Sequence, residues 1–299
     1  DGFQSRLLDA YGTQVIHQAW KPVTVFLNGQ YWGHMNLRER VDRFFIAQFE
    51  GLSLDQADEM DILEANGSVN FGSNKAYRAM LKKIKAGSPA TNPDDLQYIL
   101  DNVDVDNLFE YMALEMFVGN SDIGNIRYYR LHQEGSKWKW IWYDADYGLY
   151  SSKFNSPWSY LKVKGMGEQK IDNTIFLKLL EHPDYKRKFL EKLADVYKTF
   201  TTEYMTQVLD GVVAEIQPEM KNHWERWGEL NDKAVTSEVP TTIDGAYTYW
   251  ESRVNRLYNT LKVRPHRLWD FIKDEFKLTK TEMEELFGPQ PDYPDDAVL

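Results

Sequence analysis

Apolar positions recur along this chain at two spacings, and the change from one to the other falls near residue 150. In the first half, short runs alternate apolar and polar residues, the period of a strand with one buried face. Val23–Leu27 and Tyr31–Leu37 form the clearest pair, joined through Asn28-Gly29. Asn-Gly accepts the left-handed backbone of a type I′ turn, so these runs predict a β-hairpin. Asp61–Glu64 is a further short strand candidate. Ile126–Leu131 and Trp138–Tyr143 flank the polar stretch His132–Lys137 and predict a second hairpin with a longer loop. A symmetric loop pairs Ile126 with Tyr143 and sets Asn125 opposite Asp144.

From Thr174 onward apolar residues return every three to four positions, the helical period. Helices are predicted over 174–181, 183–199, 203–231, 243–262, 265–275 and 279–287, with Arg264-Pro265 opening a new helix because proline suits a first turn. Earlier helices are predicted over 3–19, around Val41, Phe44, Phe45 and Phe49, over the basic stretch Ser73–Ala86, and from the cap Asp104 to the stop Gly119. Asn66–Ser73 (NGSVNFGS), Gly87–Pro93 and Ser151–Asn173 are expected to be loops. Gly288–Leu299, rich in proline and aspartate, is expected to be a loose tail. The pattern predicts an α+β fold, with antiparallel strands in the N-terminal half and a mostly helical C-terminal half. It divides as a strand-containing core over 1–173 with the candidate site, a helical part over 174–288 packed on it, and the acidic tail 289–299.

Composition narrows the chemistry. Hydrophobic residues at 42% and charged residues at 27% suit a globular chain with a proper core. A formal charge of −11 argues against nonspecific nucleic-acid binding, which needs cationic surface. There are no cysteines, which excludes disulfides, thiolate metal sites and cysteine nucleophiles. No run reaches the roughly 18 apolar residues of a membrane span. His17, His34, His132, His182, His223 and His266 lack metal-ligand spacing, and neither HExxH nor GxSxG occurs. The helical spacing of Trp224 and Trp227 beside His223 and Arg226 predicts packing, with the arginine snorkelling over the rings.

The richest segment is Gly119–Gly148, GNSDIGNIRYYRLHQEGSKWKWIWYDADYG. Asp122 and Asn125 precede the second hairpin, and Asp144 and Asp146 follow it. Strand alternation carried past Tyr143 would set Trp138, Trp140, Trp142, Asp144 and Asp146 on one face. Carboxylates on an apolar face are costly without a cation, and magnesium takes one or two carboxylates together with waters and substrate phosphates. Phosphoryl transfer needs such parts: an aspartate at the acceptor hydroxyl, and an asparagine and a later aspartate on metal. Each residue alone also fits ordinary turn chemistry. Glu39 is a candidate partner for a phosphate-binding lysine, or a surface ion pair with Arg38, Arg40 or Arg43. Arg38 is a candidate phosphate contact.

The runs PVTVFLNGQYWGHMNLRERVD, VDVDNLFEYMALEMFVGNSDIGN and KWKWIWYDADYG resemble the spore coat protein H (CotH) kinase family. MKNHWERWG and VRPHRLWDFIKDEF extend the resemblance over most of Phe3–Leu278. It implies an atypical protein-kinase-like fold that uses ATP and Mg²⁺ to phosphorylate Ser or Thr of a protein substrate. It implies Asp122 as the catalytic aspartate of the GN-x-D motif, Asp144 or Asp146 as the metal-binding aspartate, and Asn125 as the neighbouring asparagine. Export or a cell-surface location is the matching expectation. Glu64 stands where many members carry lysine, and the Ile-Gly-Asn after Asp122 lacks the His-Asn or Asn-Asn doublet of many relatives. The alternative is therefore an inactive kinase-like scaffold or a carbohydrate- or protein-binding module.

Overall fold

The structure is a computed structural model that describes residues 2–165, 171–227 and 242–295. The chain opens with helix α1 (Gly2–Tyr11), the hairpin β1 (Trp20–Leu27) and β2 (Gln30–Arg38), and α2 (Arg43–Phe49). β3 (Met60–Glu64), β4 (Ser68–Phe71), α3 (Lys75–Ala86), α4 (Pro93–Asn102), α5 (Val105–Val118), β5 (Arg127–Leu131) and β6 (Lys139–Ile141) follow. The rest is helical: α6 (Ser156–Lys162), α7 (Thr174–Leu180), α8 (Pro183–Thr199), α9 (Thr202–Trp227), α10 (Ile243–Phe276) and α11 (Lys280–Phe287). The fold is α+β, with antiparallel strands in the N-terminal half and a mostly helical C-terminal half.

Helix α5 is the axis of the core. Asp104 caps it by accepting from the Asn107 N–H at 3.1 Å, and Gly119 ends it in the left-handed region at φ +66°. Nearly every residue between is buried, as expected of a helix apolar on all sides. A four-stranded antiparallel sheet, ordered β4-β3-β5-β6, lies beside it. Tyr128, Trp138, Trp140 and Trp142 belong to the same core as α5, whereas Ile62, Tyr129, Leu131 and Ile141 pack with Phe45 and Ile46 of α2. Both faces of this sheet are therefore covered.

The second hairpin differs from its prediction by one residue. Arg127 pairs with Ile141, Tyr128 with Trp140 and Tyr129 with Lys139. The loop is asymmetric because Trp138 leaves the ladder: its N–H donates to Asn102 O at 2.9 Å and its carbonyl accepts from Asp104 N at 3.0 Å. The outer edge of β6 is then closed by Asn107, whose side chain accepts from Trp140 N at 2.6 Å and donates to Trp140 O at 3.2 Å. The Trp142 N–H donates to Ile16 O at 2.9 Å. The strand stops at Ile141, and Asp144 turns the chain at φ +50°. The alternation that would have carried Asp144 and Asp146 onto the tryptophan face thus ends before reaching them.

Other elements also depart from the pattern. Helix α1 stops at Tyr11, not residue 19, because Gly12 takes φ +75° and the following residues run extended beside Trp142. The expected loop 66–73 contains β4, which turns back on β3 through Ala65 and Gly67, both at positive φ. Gly72 is required there: a Cβ would lie 2.5 Å from Met60 O. Helix α4 lies where no element is predicted, although Asn92 at its cap, Pro93 in its first turn and the acids Asp94 and Asp95 are all start signals. Helix α6 interrupts the expected loop 151–173, of which 166–170 lie outside the described residues, as do 228–231 of the predicted helix 203–231.

Helix α10 runs unbroken through Pro265, against the expectation of a break there. Proline removes the N–H that would bond Leu261 O. That carbonyl instead accepts from Thr202 Oγ1 at 3.3 Å, so a neighbouring helix satisfies it. The first hairpin forms as predicted through Asn28-Gly29 and packs on α9. Trp227 Nε1 donates to Trp32 O at 2.7 Å while the Arg226 guanidinium lies over both rings. Residues 288–295 lie along α10, where Trp269 Nε1 donates to Gly288 O and a His266 ring nitrogen bonds Pro291 O.

Candidate active site

Two loops meet beside α5. The first follows directly from its end. Asn120 Oδ1 accepts from the Asp122 N–H at 3.1 Å, and Asp122 O accepts from the Asn125 N–H at 3.2 Å. These bonds make a tight turn with Ile123 fully buried beneath it. The second loop follows β6 and is fixed by its backbone. Gln4 Nε2 donates to Ala145 O at 3.2 Å and Gly148 O at 2.9 Å, and Leu149 N donates to Val118 O at 2.6 Å. Gly148 lets the loop close: a Cβ would lie 2.9 Å from Ala145 O and 3.1 Å from Val118 Cγ2.

Two of the four predicted oxygen-bearing side chains bond across this junction, and the other two lie close enough for their charges to be felt. Asn125 Nδ2 donates to Asp144 Oδ2 at 2.5 Å, joining residues 19 apart in sequence. Asp146 is exposed, yet its carboxyl is raised above the ordinary value. Partial desolvation is the largest cause, and the charges of Asp144 and Asp122 add to it. Asp122 Oδ1 is buried and has no hydrogen-bond partner among the described residues. The site thus holds crowded negative charge and a buried acceptor oxygen that none of the described residues satisfies.

Behind it lies Glu115, fully buried on α5. Tyr160 Oη donates to its Oε2 at 2.8 Å. Burial pushes its carboxyl up to about 7; Tyr160, Asn120 and Tyr111 pull the other way, and the Asp122 charge raises it further. Sequence spacing places Glu115 on the helix. Its burial follows only from a helix enclosed on every side, which a glutamate inside an otherwise apolar run could have signalled.

Glu39 and Arg38 are not gathered into this set. Glu39 Oε2 accepts from the Ala19 N–H at 2.8 Å, and Gln18 Nε2 donates to its carbonyl. Its carboxylate thereby closes the open end of the first hairpin. Arg38 is exposed at the end of β2. Arg40 and Arg43 pair with Asp42 and Asp58, so the alternative ion pair with Glu39 is not formed by either of them. Glu64 lies 3.5 Å from Arg127, which also donates to Val41 O at 2.8 Å and sits over the Tyr143 ring. A cleft of about 650 Å³ lies apart from the junction, lined by Val15, His17, Glu50, Asp104, Glu110 and Lys139 among others, and by none of the four site residues.

The donor set fits a hard divalent ion such as Mg²⁺. Magnesium needs only one or two carboxylates when phosphate oxygens and waters complete its octahedron. Asp144, Asp146 and the Asn125 amide supply oxygen ligands, and the mutual repulsion of the acids is what such an ion would relieve. Among the described residues no group of three or more His, Asp or Glu side chains is already set to hold a metal ion.

The α+β body thus presents an aspartate turn and an aspartate loop side by side. The family described as CotH kinase protein matches residues 2–268, and the chain belongs to that family. A search of the curated proteins finds no match to the chain. Among the described residues no helix is long and apolar enough to cross a membrane.

Proposed function

We propose that this protein is a kinase that transfers the γ-phosphoryl group of ATP to Ser or Thr hydroxyls of a protein. The observation that carries this reading is the junction itself, where Asn125 and Asp144 bond at 2.5 Å and Asp122 keeps a buried, unpartnered oxygen. Asp122 orients the acceptor hydroxyl and takes its proton on its carboxylate. Asn125, Asp144 and Asp146 would hold Mg²⁺, which when bound neutralises charge on the phosphate oxygens. The backbone bonds from Gln4 and Leu149 fix the second loop, so the two loops need little rearrangement to act together.

Transfer of radiolabel from ATP to the protein or to a serine-rich peptide tests this. Asp122→Ala is expected to lower the rate by about 10²–10⁴-fold, the usual loss on removing a general base. Equal incorporation by wild type and Asp122→Ala rejects Asp122 as the base. One observation favours a second reading, a binding-only descendant: Arg127, the cation beside Tyr143, is engaged by Val41 O, Glu64 and the Tyr143 ring. A thermal-shift titration separates the two. ATP with Mg²⁺ at 100 times its dissociation constant should stabilise the protein by about 2.7 kcal/mol. No stabilisation by ATP with Mg²⁺ favours the second reading, and stabilisation together with label transfer favours the kinase.

A further inference from the structure

The Arg264 side chain is completely buried on α10, and among the described residues every partner it has is neutral. Nε donates to Phe117 O at 2.9 Å, Nη1 to Phe154 O at 2.6 Å, and Nη2 to Met116 O at 2.8 Å and Ser156 Oγ at 2.6 Å. Ser156 Oγ in turn donates to Met116 O. Met116 and Phe117 carry carbonyls at the C-terminal end of α5, where the helix dipole is negative and a cation is favoured. Burial still lowers the guanidinium to about 9. A buried charge without a counter-ion is costly and calls for a reason.

The reason lies in what the four bonds join. Two end on the last turn of α5, which leads through Gly119 and Asn120 into the Asp122 turn. The other two end on Phe154 and Ser156, in the segment that continues from the Asp144–Gly148 loop. One planar fork with fixed donor directions thus joins the segment that leads into the first loop to the segment that follows the second. Gly119 is shaped around it: besides its φ of +66°, a Cβ would lie 2.9 Å from Nη2 and 3.0 Å from Cζ.

We propose that Arg264 is a positioning residue that sets the distance between Asp122 and the Asn125/Asp144/Asp146 cation ligands. This rests on the kinase reading above. Arg264 touches none of the four residues. It acts through the α5 terminus on one side and through Phe154 and Ser156 on the other.

The test compares three variants of the full chain. Arg264→Lys keeps the charge but cannot reach four acceptors in three directions. Ser156→Ala removes one acceptor and is the milder variant should Arg264→Lys not fold. Tyr197→Phe is the structural control, because Tyr197 Oη donates to Pro265 O at 2.9 Å and so anchors the same stretch of α10 without touching either loop. Mn²⁺ affinity is read by electron paramagnetic resonance of the free ion, and kcat by label transfer at saturating ATP. Arg264→Lys is expected to weaken Mn²⁺ binding and lower kcat, each by about 10–100-fold, as loss of an outer-shell group does. Ser156→Ala should move both in the same direction by less, and Tyr197→Phe should move neither. Unchanged Mn²⁺ affinity and kcat in folded Arg264→Lys, or in Ser156→Ala where the lysine variant does not fold, overturns the proposal. Tyr197→Phe lowering both as much as the others also overturns it, since loosening α10 would then suffice. A wild type that neither binds Mn²⁺ nor transfers label overturns the kinase reading itself, and this inference with it.

Discussion

The two long hairpins show what turn chemistry can settle and what it cannot. β1–β2 stands as a two-stranded sheet with Phe26, Leu27 and Leu37 exposed, held on one side by α9. Its Asn28-Gly29 turn dictates its geometry, and it formed where the local pattern placed it. β5–β6 is buried on both faces, and three separate pieces of chain complete the outer edge of β6: residues 102–104, the Asn107 side chain and Ile16. Those distant partners shift its register by one residue and stop it at Ile141. Local sequence specifies the first hairpin, whereas tertiary contacts specify the second, which leads into the candidate site.

The largest expected contrast is in packing. Trp138 is fully buried, in contact with Tyr77 and Tyr128. Trp138→Ala should cost about 3–5 kcal/mol by chemical denaturation, well beyond Trp32→Ala on the first hairpin. Equal losses would mean that the first hairpin is as integral to the core as the second.

A comparable effect should appear with pH in the helix beneath β6. The Glu115 carboxyl sits near 7 in the folded chain against an ordinary 4.5. Between those values the folded state holds a proton that the unfolded state has lost. Stability therefore falls as pH rises through that window and levels off above about 7. The full contribution is on the order of 3 kcal/mol. Unfolding curves collected from pH 4.5 to 8 should show the decline in wild type and a flatter profile in Glu115→Gln. Parallel profiles would place the Glu115 titration elsewhere.

The smallest expected effect sharpens the comparison most. Asn107→Ala leaves the Trp140 N–H and C=O without partners and should cost about 1–3 kcal/mol. Gly29→Ala forces a side chain into the left-handed region and should cost about 1–2 kcal/mol, while amide exchange changes only in β1 and β2. For Asn107→Ala, exchange should rise along β6 and into the Asp144 loop. Protection of Asp144–Gly148 unchanged by Asn107→Ala would show that this edge does not govern the loop.

Much of the site was legible because its signals are short-range. Asp104 and Gly119 bound α5, and the two polar groups flanking an aromatic hairpin predict that Asn125 meets Asp144. They do meet, but not as facing strand residues: the left-handed Asp144 and the Asn120–Asp122 turn bring them together. Hidden from the sequence were features decided by distant partners. Thr202 rescues the carbonyl that Pro265 frees, so α10 continues. Glu115 and Arg264 are ordinary charged residues until the surrounding helices enclose them. The missed helix α4 is different, since its Asn-Pro-Asp-Asp start was in plain view.

The closed margin of β6 also decides how this sheet could ever grow. With that side sealed, the margin of the four-stranded sheet that the described residues leave to an added strand is β4, Ser68–Phe71, at the opposite end. Association by strand addition at this sheet is therefore directional: it can approach from the β4 flank and never from the flank that feeds the Asp144 loop.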